Sequence, residues 1–181
     1  LKPHQRLFTN SGCASMGYGL PAAFGGSIAV GNDRRVICLD GDGSFQMNIQ
    51  ELQTIVYHQP NMKIFVLNNH GYHSIRQTQT NLFKPPLIGV SEENGISFPC
   101  CEKIADAYGL NFERIDNLEN IEDKIIKVLS SDGPIICEVM LDTNQNFEPK
   151  LSSKVMPDGK IISPSIDDMF PFLDREEYEG N

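Results

Sequence analysis

The sequence predicts an α/β fold, an open and mostly parallel sheet flanked by helices, with an irregular C-terminal extension. Three short apolar runs carry that prediction: VICL (Val36 to Leu39), KIFVLNN (Lys63 to Asn69) and PIICEVML (Pro134 to Leu141). Each has the length and composition of a strand buried on both faces. The segments between them place apolar residues at helical spacing, and strands alternating with helices at this interval call for a parallel sheet.

Taken in order, ASMGYGLPAAFGGSIAV (Ala14 to Val30) is rich in small residues and reads as a tightly packed, buried helix. Pro21 is tolerable there only near the first turn, where its missing N–H is not needed. After the strand at Val36, Ile49, Leu52, Ile55 and Val56 form a helical stripe that ends at Pro60. HGYHSIRQTQTNLF is a loop entering a short helix, and KPPLIGVSEENGISFP an irregular connection. Cys101 to Gly109 is a helix with a glycine stop, and NFERI an edge strand. In LENIEDKIIKVLSS, Ile121, Ile125, Val128 and Leu129 share one face, with Asn117 as the expected cap. Beyond Leu141 the alternation stops. The extension over residues 142–181 is polar and rich in proline, and Ile166, Met169, Phe170 and Leu173 offer one apolar stripe that Pro171 limits to a turn or two. It is expected to pack on its parent protein.

With 181 residues, 40% of them hydrophobic, the chain can bury a core, and one domain over residues 1–141 is the simplest division. A net charge of −9 without a basic cluster argues against nucleic acid and anionic membrane surfaces as partners. No run approaches the length of a membrane span. The five cysteines fall at no metal-ligand spacing and mostly in apolar segments, which favours a reducing, cytoplasmic setting. The chain starts without Met, and a piece of a longer protein is expected.

The chemistry concentrates where the first strand ends, at LDGDGSF (Leu39 to Phe45). Gly41 and Gly43 permit positive φ and close backbone approach to a ligand, and Asp42 between them supplies a hard oxygen. By itself the stretch also suits a surface turn. The next strand ends in Leu67, Asn68 and Asn69. A helix-containing crossover would return the chain beside its start, so Asp42 and Asn69 should meet at the C-terminal sheet edge on strands roughly 5 Å apart. Open α/β sheets bind ligands at that edge. A carboxylate and an amide oxygen there, with room for waters and phosphate oxygens, form a Mg²⁺-type site. Asp40 reads as a turn cap and Asn68 as a partner for loop backbone. His70, Tyr72 and His73 flank the same edge, either as acid–base groups or as ordinary loop residues. Cys13 is read as a packing residue.

GDGSF, the helix after it and LNN resemble the thiamine diphosphate signature, in which GDG is followed after such an interval by NN. Upstream, GCASMGYGLPAAFG looks like the corresponding segment of acetolactate synthase and related thiamine diphosphate decarboxylases and ligases. The resemblance covers Gly12 to Asn69 by motif, and element order extends it to about Leu141. It implies that Asp42, the Asn69 side chain and the Gly71 carbonyl ligate Mg²⁺, and that backbone amides of Gly43 and Ser44, next to Gly41, donate to the diphosphate. It places the aminopyrimidine ring over Ala14, Ser15 and Met16, with the Ala14 carbonyl and Met16 amide as hydrogen-bond partners. The Met16 side chain would wedge a bent cofactor.

The implied activity is decarboxylation of a 2-keto acid such as pyruvate, with transfer of the hydroxyalkyl carbanion to an acceptor. Another thiamine diphosphate decarboxylase or lyase with a different substrate is the alternative. The resemblance also implies a homo-oligomer and a glutamate from a separate pyrimidine-binding domain of the same or a partner subunit. The catalytic residue is therefore expected outside this chain, which should be inactive alone. The resemblance leaves FAD open as a further cofactor of the full-length parent. It also implies one more strand and helix at the start of the cofactor domain, a unit expected to be missing from this chain. A nucleotide-binding domain is disfavoured because no G-x-G-x-x-G follows a strand and no GK[ST] is present.

Overall fold

The computed structural model describes residues 1–180. Its centre is a four-stranded sheet of β1 (Val36–Gly41), β2 (Met62–Asn68), β3 (Asn111–Ile115) and β4 (Ile135–Met140), in the order β1-β2-β4-β3. Every pairing in this sheet is parallel, as the alternating sequence required. The helices are α1 (Gly19–Val30), α2 (Asp42–Phe45), α3 (Glu51–His58), α4 (His73–Thr78), α5 (Cys101–Tyr108), α6 (Ile121–Ser130) and α7 (Arg175–Gly180).

The period-2 alternation of β2 divides the core between two faces. Ile64 and Val66 pack with Leu20, Phe45, Leu52, Ile55 and Ala105, while Phe65 packs with Val128, Ile135 and Cys137. β2 is consequently buried through Val66. β1 is not buried on both faces: Ile37 is 49% and Leu39 63% exposed, with only Cys38 of the run buried. The reason lies in α6, whose apolar stripe covers Phe65, Ile135 and Cys137 but stops short of the β1 edge. NFERI is the opposite edge strand, β3, as expected.

α1 starts later than its composition suggested. Ala14 (φ 50°) and Gly17 (φ 81°) adopt left-handed backbone, which interrupts a right-handed helix. The first helical bond runs from Ala22 N–H to the Tyr18 carbonyl, so Pro21 falls in the first turn, where it removes no bond. The helix buries one face, with Leu20, Ala23 and Ser27, rather than its whole surface. α5 stops at Gly109 in left-handed geometry (φ 68°), as a glycine after a helix should. Asn117 does not cap α6: its Oδ1 accepts from Glu119 N–H in the preceding turn, and Asn120 (φ 52°) precedes the helix instead.

The extension folds on itself, and the stripe of Ile166, Met169, Phe170 and Leu173 forms no helix. β5 (Lys154–Val155) and β6 (Ile161–Ile162) make a small antiparallel hairpin, and Lys150 bridges Phe170. Pro171 denies Phe170 a helical successor, and Ile166 stays 78% exposed. Asp168 is the centre of this unit, accepting from Lys154 Nζ at 2.6 Å and from both guanidinium nitrogens of Arg175 at 2.9 Å. These bonds hold its carboxyl well down, to about 2. Lys150 Nζ reaches Gln77 Oε1 at 3.3 Å and so attaches the extension to α4. Asn181 lies outside the described residues.

Candidate cofactor and metal site

β1 and β2 run side by side with Gly41 opposite Leu67, so the residues that leave both strands emerge together at the C-terminal edge. Asp42 is 6% exposed there. Its Oδ1 accepts from its neighbour Gly43 N–H at 2.8 Å, and its Oδ2 from Gly71 N–H at 3.0 Å. The second bond ties the two motifs across the sheet edge. Gly71 is held at φ 150°, and a Cβ there would come within 1.9 Å of the Val90 carbonyl oxygen. Tyr72 N–H donates to that same carbonyl at 2.9 Å. Glycine is required at this turn for both conformation and space.

The third predicted ligand is Asn69. Its Oδ1 is buried without a hydrogen-bond partner, as are His73 Nε2 and Asp40 Oδ2. Such an atom costs free energy unless something occupies its lone pairs. Asn69 also lines a cavity of about 100 Å³ with His73, Leu141, Asp142, Gln145 and Phe147. Among the described residues no cluster of three or more His, Cys, Asp or Glu is present. A cation here would rest on one carboxylate and neutral oxygens, the donor set Mg²⁺ tolerates with its retained waters. Burial pushes the Asp42 carboxyl above its ordinary range, and the Gly43 and Gly71 amides with the charges of His70 and Arg76 only partly oppose this. A raised folded-state value means that ionised Asp42 costs stability, a cost that grows as pH rises through it. A bound cation reverses the sign.

The glycines around Asp42 serve differently from the expectation. Gly41 (φ −79°) has ordinary backbone, and Gly43 is absent from the positive-φ residues. What Gly43 provides is space: a Cβ would lie 2.3 Å from the Tyr72 ring, which stacks edge-on against Phe98. Its N–H, expected to face a diphosphate, is engaged by Asp42 and would have to change partners to reach one. Ser44 has a role that its motif position did not suggest. Its Oγ accepts from Gly17 N–H at 2.9 Å, while Asn48 Nδ2 donates to the Gly17 carbonyl at 2.7 Å. Asn10 Nδ2 also donates to the Ser15 carbonyl at 3.1 Å. Ala14, Ser15 and Met16 are thus pinned beside the GDGS turn and remain exposed, Met16 by 41%.

Asp40 caps its turn as expected, with Oδ1 accepting from Gly41 N–H at 3.1 Å, while its Oδ2 is buried against Gly19 without a partner. Burial raises its pKa, and Ser44 and Gly41 offset part of the rise. Asn68 supports the loop: Oδ1 accepts from His70 N–H at 3.0 Å and Nδ2 donates to Glu138 Oε1 at 2.7 Å. Glu138 is buried and receives Arg114 Nε at 2.8 Å on its other oxygen. Sequence reading passed over Glu138, although a lone carboxylate in the apolar run IICEVM signals a buried, paired group. His70 is exposed, whereas His73 is buried edge-on against Phe147 at 5.1 Å. Burial, Arg76 and Lys150 lower the His73 pKa. Cys13 is exposed rather than packed, and Cys38, Cys101 and Cys137 are buried with raised pKa values, the first two pushed to about 12.

A parallel α/β sheet with Asp42 and Asn69 at its C-terminal edge and a pinned loop beside it has the architecture of a cofactor-binding α/β domain. The family model described as "Thiamine pyrophosphate enzyme, C-terminal TPP binding domain" matches residues 1–139, and the chain belongs to that family. It is similar to an acetolactate synthase large subunit of Cyanidium caldarium, 35% identical over 81% of this chain and 25% of that protein. It is also similar to the acetolactate synthase isozyme 2 large subunit of Escherichia coli, 37% identical over 80% of this chain and 26% of the relative. The mitochondrial acetolactate synthase of Schizosaccharomyces pombe is 33% identical over 88% of this chain and 22% of its own length. The chain spans about a quarter of the length of the curated relatives it matches. No helix among the described residues is long and apolar enough to cross a membrane.

Proposed function

We propose that this chain is the Mg²⁺- and thiamine-diphosphate-holding domain of an acetolactate-synthase-like enzyme that decarboxylates a 2-keto acid such as pyruvate and joins the product to an acceptor. The observation that supports the reading is the bond from Gly71 N–H to Asp42 across the ends of β1 and β2, with the unpartnered Asn69 oxygen two residues before Gly71. Asp42, Asn69 Oδ1 and the Gly71 carbonyl would hold the ion. The Ala14–Met16 segment, fixed through Gly17 to Ser44, would orient the aminopyrimidine. Bound thiamine diphosphate supplies the electron sink for loss of carbon dioxide, and the protein supplies its placement. His70 and His73 are not needed as acid–base groups in this reading.

Ile37 and Leu39, exposed on the open β1 edge, support a further strand and helix upstream in the parent. The acid–base glutamate, an optional FAD, and oligomer contacts are assigned to the parent's other domains, and the unpaired cysteines favour a reducing cytoplasm. The complete natural protein, given pyruvate, Mg²⁺ and thiamine diphosphate, should release carbon dioxide and form acetolactate. Cofactor binding without pyruvate turnover would instead favour a decarboxylase or lyase of another substrate. The isolated 181-residue chain should turn over no keto acid, because a missing acid–base group alone costs about 10²–10⁴-fold in rate.

Met16 gives a finer test. If its side chain shapes the bound cofactor, Met16→Ala in the complete protein lowers kcat by about tenfold or more, and cofactor affinity falls much less, because geometry near the reacting atoms is lost. Equal losses in binding and turnover would reduce Met16 to a packing residue.

A further inference from the structure

Arg76 on α4 pairs with no carboxylate among the described residues. Its guanidinium is spent on backbone instead. Nη2 donates to the His70 carbonyl at 3.1 Å and Nη1 to the Thr143 carbonyl at 3.2 Å. Both nitrogens also lie 3.4 Å from the Asn69 carbonyl, and Nη1 lies 3.4 Å from His73 Nδ1. The residues it clamps are those that bring Asn69 and Gly71 to the sheet edge. The turn itself is demanding, with His70 at φ 56° and Gly71 at φ 150°. The Gly71 α-carbon is so close that a Cβ would meet Nη2 at 2.8 Å.

We propose that Arg76 is a positioning residue for the cation site. By fixing the Asn69 and His70 carbonyls it sets the peptide plane that follows the Asn69 α-carbon and the plane that contains Gly71 N–H, and through Thr143 it ties this turn to the chain leaving β4. The proposal rests on the reading of Asp42, Asn69 and Gly71 as the ion's ligands. A planar guanidinium can reach several carbonyls from one fixed position, and a lysine ammonium cannot reproduce that fork. Charge alone is a poor reason for a cation here, since it repels the ion. The function of Arg76 is geometric.

The test uses Mn²⁺ as a spectroscopic substitute for Mg²⁺, bound to the complete natural protein with saturating thiamine diphosphate and followed by electron paramagnetic resonance. Arg76→Ala and Arg76→Lys should both weaken Mn²⁺ by about 10–100-fold, as loss of supporting groups around metal ligands does, and should alter the spectrum of the ion that still binds. Added guanidinium ion should restore part of the affinity of Arg76→Ala and none of Arg76→Lys. Wild-type affinity in Arg76→Lys would show that charge suffices and overturn the proposal. So would an unchanged bound-ion spectrum in both variants, even with lowered thermal stability, since that is what a purely structural role produces. Failure of the wild type to bind Mn²⁺ with the cofactor, or undiminished binding in Asp42→Asn, would instead remove the ligand assignment and this proposal with it.

Discussion

Asp42→Asn should reduce Mg²⁺-dependent thiamine diphosphate affinity by about 10²-fold or more, close to 3 kcal/mol, while changing the cofactor-free melting temperature less than Asp42→Ala does. Two opposing effects set the melting temperature. Asp42 is buried with its carboxyl pKa raised, so ionising it costs the folded chain stability. The folded-state value lies above the unfolded one, so the cost is absent below the unfolded pKa and fully present above the folded one. Asparagine removes the charge and keeps one acceptor oxygen, but its Nδ2 can accept from neither Gly43 N–H nor Gly71 N–H, so one of the two donors loses its acceptor, a cost that opposes the gain from removing the charge. Asp42→Ala is the less clean variant, because Gly43 N–H and Gly71 N–H would both lose their acceptor, and a buried donor left unpaired costs about 1–3 kcal/mol. Thermal shift with and without Mg²⁺ and thiamine diphosphate separates the effects. A cofactor-induced shift of wild-type size in Asp42→Asn would take Asp42 out of the site.

Gly71→Ala is the second large effect, and it acts through the fold. Alanine at φ 150° is strained whatever the space, and its methyl would sit 1.9 Å from the Val90 carbonyl oxygen. The turn must move, giving up the bonds from Gly71 N–H to Asp42 and from Tyr72 N–H to Val90. Strain of this kind costs about 1–3 kcal/mol, and the lost bonds add to it. For a chain of this size each kcal/mol lowers the melting temperature by about 2–4 °C, so a fall near 10 °C is expected, with cofactor binding lost as well. Gly41→Ala is the control, since nothing lies within 4 Å of its Cβ position. If Gly71→Ala behaved like Gly41→Ala, the described turn would be wrong.

The sheet was legible because its signals are local and redundant. Three apolar runs of strand length, each separated by helix-spaced residues, leave few arrangements other than parallel neighbours, and β1, β2 and β4 pair that way. The edge strand NFERI and the Gly109 stop were equally plain. Burial of β1 was not, because VICL carries no sign of which helix will cover which face, and α6 leaves Ile37 and Leu39 open. The late start of α1 was missed for a related reason: small residues suit a helix and a left-handed turn alike, and only tertiary contacts from Ser44 and Asn48 to Gly17 decide between them. In the extension, apolar spacing suggested a helix that the pairing of Lys150 with Phe170 replaces.

At the site, residue types at strand ends put Asp42 and Asn69 at one sheet edge before any geometry was known, and the strand register agrees. The supporting groups were less accessible. Arg76 and Glu138 act on backbone and on other side chains, and no spacing rule links them to Asn68, Asn69 and His70, which they contact. Ser44 was singled out by its motif for its amide, and its hydroxyl has a further role that the motif did not suggest, holding the Ala14–Gly17 loop.

The most direct measurement is calorimetric titration of thiamine diphosphate into the complete natural protein, once with Mg²⁺ and once with the divalent cations chelated. Saturable binding near one cofactor per chain is expected, lost on chelation and restored by Mg²⁺. Binding of equal strength in both titrations, or none in either, would contradict a cation site made of Asp42, Asn69 and Gly71.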